Sequence, residues 1–250
     1  MPTTAVITGG CSGIGRAVAE RFVADGLRVV VGDLNPQDVP GCEVHRCDVT
    51  VESDVEALVA AAGPSLDVGV NCAGLGTLGA ITDLAVEQWD VVLDVCLKGV
   101  FLATKHEARA MKANATAGVI VNIASINARQ PAQGMVAYCA AKAGVEMLTR
   151  VAALELGPDG IRVCCIGPGL IDTPLTQYQR DMPAFREGYL EQIPMGRVGT
   201  VEDVAKAAAY LVSDDASWVS GDTLFVDGAS LTRGYPQMLD ILQRVMAGGS

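Results

Sequence analysis

Two hydrophobic periods alternate along this chain without a break. Short apolar runs of strand length occupy residues 4–8, 28–33, 43–48, 67–71, 119–124, 161–166 and 223–226. Segments of helical period lie between them, most clearly at 16–24, 52–62, 86–111, 136–156 and 201–212. Strict alternation predicts parallel strands joined by crossover helices, because parallel neighbours need a long return connection. The strands are apolar almost throughout, as a sheet covered on both faces requires. No Pro/Ser-rich linker divides the 250 residues. The expected architecture is α/β, a single doubly wound domain over residues 1–250 with a seven-stranded parallel sheet and helices on both faces.

Two segments fall outside the alternation. Residues 174–200 carry Pro174, Pro183 and Pro194 with Tyr178, Phe185 and Tyr189, and are long for a connection within a domain, which suggests a substrate lid. Its three aromatics point to a bulky, apolar or cyclic substrate, or to packing of the lid on the domain. Residues 229–250 form a tail whose Met238, Leu239, Leu242, Val245 and Met246 recur at helical spacing. That stripe needs cover, from a subunit interface or from the substrate pocket.

The turn after the first strand reads Thr8-Gly9-Gly10-Cys11-Ser12-Gly13-Ile14-Gly15 and opens a helix. Glycines there let the backbone turn sharply and approach a pyrophosphate. The helix N-terminus offers free N–H groups to the phosphates. In this strand–turn–helix setting the loop marks a dinucleotide site and a Rossmann-like fold. The second strand ends at Asp33, whose carboxylate can accept both hydroxyls of an adenosine ribose. It would repel a 2′-phosphate, and neither Ser12 nor Leu34-Asn35-Pro36-Gln37 supplies a cation. NAD is therefore the expected cofactor.

Ser125, Tyr138 and Lys142 form the pattern Ser-x12-Tyr-x3-Lys. Tyr138 and Lys142 stand four apart, on one helix face. Ser125 follows a buried strand, at the carboxyl edge where open α/β sheets bind ligands. An ammonium beside a phenol favours the phenolate, which suits Tyr138 to general acid/base work on an alcohol or ketone.

With these motifs the chain, over about residues 3–228, resembles the short-chain dehydrogenase/reductase family. Gly9, Ser12, Gly13, Ile14 and Gly15 fall in its cofactor loop. Asp48-Val49 is similar to its adenine contact, and Asn71-Cys72-Ala73-Gly74 to its Asn-Asn-Ala-Gly segment with Cys72 in place of the second Asn. Pro168-Gly169-Leu170-Ile171-Asp172-Thr173 resembles the stretch that holds the nicotinamide carboxamide. The resemblance implies that Ser125 binds the substrate oxygen, that Tyr138 exchanges the proton, and that Lys142 binds the nicotinamide ribose and lowers the Tyr138 pKa. It also implies that Asn71, Ala73, Gly74, Pro168, Gly169, Ile171 and Thr173 contact the cofactor. In Asp94-Val95-Cys96-Leu97-Lys98-Gly99 the chain departs from the family, since Cys96 stands where a fourth catalytic residue, an Asn, is usual. The expectation is a tolerated substitution, with a backbone carbonyl holding the relay water.

The remaining features narrow the function. A net charge of −11 without a Lys/Arg cluster argues against nucleic acid and against an anionic membrane surface. No apolar stretch suggests a membrane span, and the N-terminus does not read as a secretory signal, so a cytoplasmic protein is expected. Eight cysteines without a C-x-x-C pair, and two histidines apart in sequence, give no metal site. The leading expectation is an NAD-dependent oxidoreductase interconverting a secondary alcohol and a ketone. The alternatives are a non-catalytic NAD-binding regulatory protein and lyase, epimerase or dehalogenase chemistry on the same scaffold. The apolar helices at 86–111 and 136–156 predict a homotetramer, with a homodimer as runner-up.

Overall fold

The computed structural model describes residues 3–247. Met1, Pro2 and residues 248–250, the ends of the expected 1–250 domain and of the 229–250 tail, lie outside the described residues. Seven strands form one sheet: β1 (Thr4–Thr8), β2 (Arg28–Asp33), β3 (Cys42–Arg46), β4 (Leu66–Asn71), β5 (Val119–Ile123), β6 (Arg162–Pro168) and β7 (Thr223–Val226). Their order is β3-β2-β1-β4-β5-β6-β7, and every pairing is parallel. The order reverses between β1 and β4, and ligands of such sheets bind at the carboxyl ends of the strands there.

Alternate residues of each strand feed opposite layers, as a period of two dictates. Ala5 and Ile7 of β1 pack with Phe22 of α1 (Gly13–Ala24) and with Val204 and Leu211 of α8 (Val201–Val212). Val6, between them, faces the other layer with Val55 and Leu58 of α2 (Glu52–Ala61) and Leu102 and Met111 of α4 (Gly99–Ala113). The helix α5 (Val136–Leu156) also covers that second face. Both faces of β1 are therefore dry, and the whole strand is buried.

The elements fall where the apolar periods put them, with displaced ends. The 43–48 run pairs only over Cys42–Arg46, and the 161–166 run extends to Pro168. The expected helix 86–111 runs without a gap from Val86 to Ala113, but its hydrogen bonding changes midway. It consists of α3 (Val86–Leu93), a π-helical stretch at Asp94–Lys98, and α4. The lid holds two short helices, α6 (Gln177–Asp181) and α7 (Pro183–Glu191). Its two ends meet in a bridge between Ile171 and Gly199. The tail carries α9 (Met238–Met246), which packs on α7 through Ile241 and Gly188. Among the described residues no helix is long and apolar enough to cross a membrane.

Candidate active site

A cleft of about 360 Å³ lies over the carboxyl ends of the central strands. Gly9, Ser12, Gly13, Ile14 and Gly15 form its floor at the start of α1, and Asp33, Asp48 and Val49 line its walls. Ala73, Gly74, Ser125, Tyr138, Lys142, Pro168, Gly169, Ile171 and Thr173 complete it. Of the sequence-expected cofactor residues, Asn71 alone stands apart. Its side chain is buried beneath the cleft, where the amide donates to Glu107 Oε2 (3.0 Å) and Asn122 Oδ1 (3.0 Å). Asn71 thus supports the loop that follows it and does not line the site.

The glycine loop is fixed by close backbone packing. Gly9 has φ +65°, and a Cβ there would come within 2.7 Å of the Ala73 Cα. A Cβ on Gly15 would strike the Gly9 carbonyl. The loop therefore presses against 72–74. Gly9 and Gly10 donate to the Gly32 carbonyl, and the N–H groups at the helix start, Ser12 to Gly15, are the ones left to the cleft, the environment a pyrophosphate needs. Asp33 receives the Cys11 N–H (3.1 Å) on one oxygen and the Asn35 N–H (3.0 Å) on the other. Cys11 further ties the segment after Asp33 to the loop, since its thiol pairs with both the carbonyl (3.5 Å) and the N–H (3.4 Å) of Gln37. Asp48 is held by the N–H and hydroxyl of Thr50 (2.9 and 2.7 Å), which keeps its carboxyl below the usual range. The cleft thus offers a glycine turn at a helix start and a carboxylate at the end of β2, and these residues fit a dinucleotide.

Ser125, Tyr138 and Lys142 come from two elements. Ser125 follows β5 and caps the short turn Ile126–Ala128, accepting the Asn127 N–H (3.1 Å) and donating to Asn127 Oδ1 (3.3 Å). Tyr138 and Lys142 lie one turn apart on α5, and the Lys142 ammonium stands 5.6 Å from the Tyr138 ring centroid. Lys142 is buried and donates to the Ile123 carbonyl (2.8 Å), which anchors its charge at the sheet edge. Burial raises the Tyr138 pKa above that of an ordinary phenol, while Lys142 and the neighbouring Ser125 hydroxyl pull it down. The net direction is upward because desolvation of the phenol outweighs the pull of Lys142, which favours the phenolate as expected. Burial likewise works against the Lys142 charge, and its electrostatic partners, Tyr138 first, more than compensate.

Cys96 lies fully buried inside the π-helical stretch. Its thiol donates to the Leu75 carbonyl (3.2 Å) and accepts the Leu75 N–H (3.3 Å). The position usually filled by Asn is therefore not idle. A single sulfur satisfies both backbone groups of the residue that follows Gly74.

A second cavity, of about 160 Å³, adjoins the first and shares Ser125 and Tyr138 with it. Of the lid aromatics only Tyr189 reaches it. Phe185 is buried in the lid's own cluster, with its ring 5.9 Å from that of the exposed Tyr178. The tail contributes Tyr235 and Met238 to this cavity. Among the described residues no group of three or more His, Cys, Asp or Glu could hold a metal ion.

Comparison with known proteins places this geometry in a wide set. A family model described as enoyl-(acyl carrier protein) reductase matches residues 9–229. The chain is 38% identical over 240 residues to 3β-hydroxysteroid dehydrogenase 1 of Eggerthella lenta, covering 90% of this chain and 92% of that protein. A short-chain type dehydrogenase/reductase from Mycobacterium ulcerans superposes with a TM-score of 0.91 at 34% identity, over 97% of this chain and 94% of the other. A putative 2-deoxy-D-gluconate 3-dehydrogenase from Agrobacterium tumefaciens, solved with NADP, gives 0.86 at 34% identity over 92% and 97%. The 3-ketoacyl-(acyl carrier protein) reductase of Brucella melitensis, solved with NADH, gives 0.83 at 33% identity over 92% and 98%.

Proposed function

The chain belongs to the short-chain dehydrogenase/reductase family, and from that premise we propose that it uses NAD to interconvert a secondary alcohol and a ketone, with Tyr138 exchanging the proton. It is an oxidoreductase acting on CH–OH groups. The observation that carries the finer reading is the meeting of two sets of residues in one cleft. The glycine loop and Asp33 line it together with Ser125, Tyr138 and Lys142.

A nicotinamide dinucleotide bound there supplies the hydride acceptor or donor. In the oxidative direction the alcohol gives up a hydride from carbon and a proton from oxygen, and Tyr138 takes the proton as phenolate. In reduction the Tyr138 hydroxyl returns it. Ser125 holds the substrate oxygen beside that hydroxyl. Lys142, fixed by the Ile123 carbonyl, keeps a positive charge next to the phenol and so limits the cost of its ionisation. Gly9, Ser12, Gly13, Ile14 and Gly15 cradle the pyrophosphate. Asp48 and Val49 flank the adenine, and Ala73, Gly74, Pro168, Gly169, Ile171 and Thr173 hold the nicotinamide end.

Related structures hold NADP in one case and NADH in another, so the choice for this chain rests on its own residues. Asp33 and the absence of any Lys or Arg from the cleft lining around it favour NAD. The intact Ser125, Tyr138 and Lys142 set supports catalysis over a purely regulatory role. Eight free thiols support a reducing, cytoplasmic setting. Two separate apolar faces support a homotetramer over a homodimer. Phe101, Met147, Val151 and Leu154 are exposed on α4 and α5, and Trp218 and Leu224 are exposed at the β7 edge. The proposal is tested by mixing the protein with NAD or NADP and a panel of secondary alcohols and following the reduced-nicotinamide absorbance. Reduction of NAD, faster than of NADP, is expected. No reduction of either cofactor by any alcohol would overturn the reading.

A further inference from the structure

The cavity beside the cofactor cleft is enclosed largely by Leu78, Ile126, Met135, Leu170, Leu175 and Met238. No Lys, Arg, His, Asp or Glu lines it. A carboxylate, phosphate or sulfonate entering it would shed hydration and meet no counter-ion, so charged substrates are disfavoured. Apolar cavities of roughly this size hold one six-membered ring.

Two polar groups in this wall come from outside the alternating β-α frame. Tyr189 belongs to α7 in the lid, and Tyr235 precedes α9 in the tail. Their hydroxyls are 2.9 Å apart, and their rings pack edge to face with centroids separated by 5.6 Å. Burial pushes the Tyr189 hydroxyl up to about 12 and that of Tyr235 well above an ordinary phenol, so both stay neutral. Two neutral hydroxyls hold two protons and use one between them. Beyond that, Tyr235 meets the Met135 thioether at 4.0 Å, a weak acceptor, and the Asn127 amide lies beside its oxygen. Two of the other polar side chains in the wall, Asn127 and Thr176, are engaged. Asn127 donates to the Gln130 carbonyl and accepts from Ser125, and Thr176 donates to the Ile171 carbonyl. The tyrosine pair is thus a braced polar spot with hydrogen-bonding capacity to spare.

We propose that the substrate is an uncharged alcohol about one ring in size that carries a second oxygen, and that the Tyr189–Tyr235 hydroxyl pair holds that second oxygen. The inference rests on the alcohol–ketone reading of the adjoining site. It makes the lid and the tail joint carriers of specificity, with neither sufficient alone.

The test compares cyclohexanol, 1,4-cyclohexanediol and 4-hydroxycyclohexanecarboxylate as substrates with NAD, for the unmodified protein, Tyr189→Phe and Tyr235→Phe. The diol should exceed cyclohexanol in kcat/KM by about tenfold, the scale of one net hydrogen bond. Either Phe variant should bring that ratio to about one, and the carboxylate should be the poorest substrate throughout. In parallel, calorimetry of the NADH-bound protein compares 4-hydroxycyclohexanone with cyclohexanone. Equal kcat/KM for diol and cyclohexanol in the unmodified protein, or a ratio that neither Phe variant changes, overturns the inference and leaves the redox reading intact. Absence of turnover, with the hydroxyketone still bound about tenfold more tightly and Tyr235→Phe erasing that advantage, overturns the redox reading and supports the pocket inference.

Discussion

Replacing Glu107 with Gln tests the interior of this protein through its pH dependence. Glu107 projects from α4 into the layer beneath β4, fully buried, with one oxygen 3.0 Å from the Asn71 amide and the other without a partner. Burial pushes its carboxyl from the ordinary 4.5 up to about 7, and the Asn71 hydrogen bond only partly offsets this. Between those values the folded protein holds a proton that the unfolded chain has released. Stability from this group is therefore fully present below the ordinary value and is lost as pH rises through about 7. Linkage over pH 5.5 to 8.5 puts the loss at roughly 2 kcal/mol. Gln has nearly the same shape and no titration. Urea unfolding of both proteins at the two pH values should show the unmodified protein losing about 2 kcal/mol more than Glu107→Gln. Equal pH slopes would refute the reasoning and mean that Glu107 is hydrated or paired in the native state.

Asp33→Ala should raise affinity for NADP relative to NAD by roughly 100-fold, since a like-charge contact near the surface costs several kcal/mol and each 1.4 kcal/mol is tenfold. Titration of both cofactors by fluorescence checks it, and an unchanged ratio would reject the role given to Asp33. Cys96→Ala should cost about 1–3 kcal/mol, because the Leu75 N–H and carbonyl both lose their thiol partner, while Cys96→Asn should keep stability and turnover. Thermal melts and kcat/KM for the two variants separate these outcomes. Light scattering at micromolar concentration should give a tetramer, and a monomer would mean that the faces around Phe101 and Trp218 stay exposed.

What was legible in the sequence was what local spacing can encode. Residues 4–8 and 28–33 matched observed strands because their apolar runs end at a glycine turn and at Asp33. Ser125, Tyr138 and Lys142 were legible because one strand exit and one helix face carry all three. The π-helical stretch at Asp94–Lys98 was hidden, because it keeps helical backbone and changes only the span of the hydrogen bonds. The lid helices were hidden for the opposite reason. Proline-rich sequence gives no helical period, yet Pro183 sits in the first turn of α7 and Pro174 opens a 3₁₀ turn, where the missing N–H costs nothing. The motif resemblance of 71–74 puts Asn71 with the cofactor, while its side-chain partners Glu107 and Asn122 come from α4 and β5. No local pattern joins those elements, nor does any join Tyr189 to Tyr235 across 46 residues.

The central claim is that Tyr138 exchanges the proton in an NAD-linked alcohol–ketone reaction. Tyr138→Phe removes one oxygen and leaves the ring that packs in the cleft. Its turnover with NAD and the best secondary alcohol, measured beside NAD affinity by calorimetry, is the most direct test. The account predicts unchanged NAD binding and turnover lower by about 100-fold or more, the scale of a lost general acid/base. Full turnover by Tyr138→Phe would contradict it.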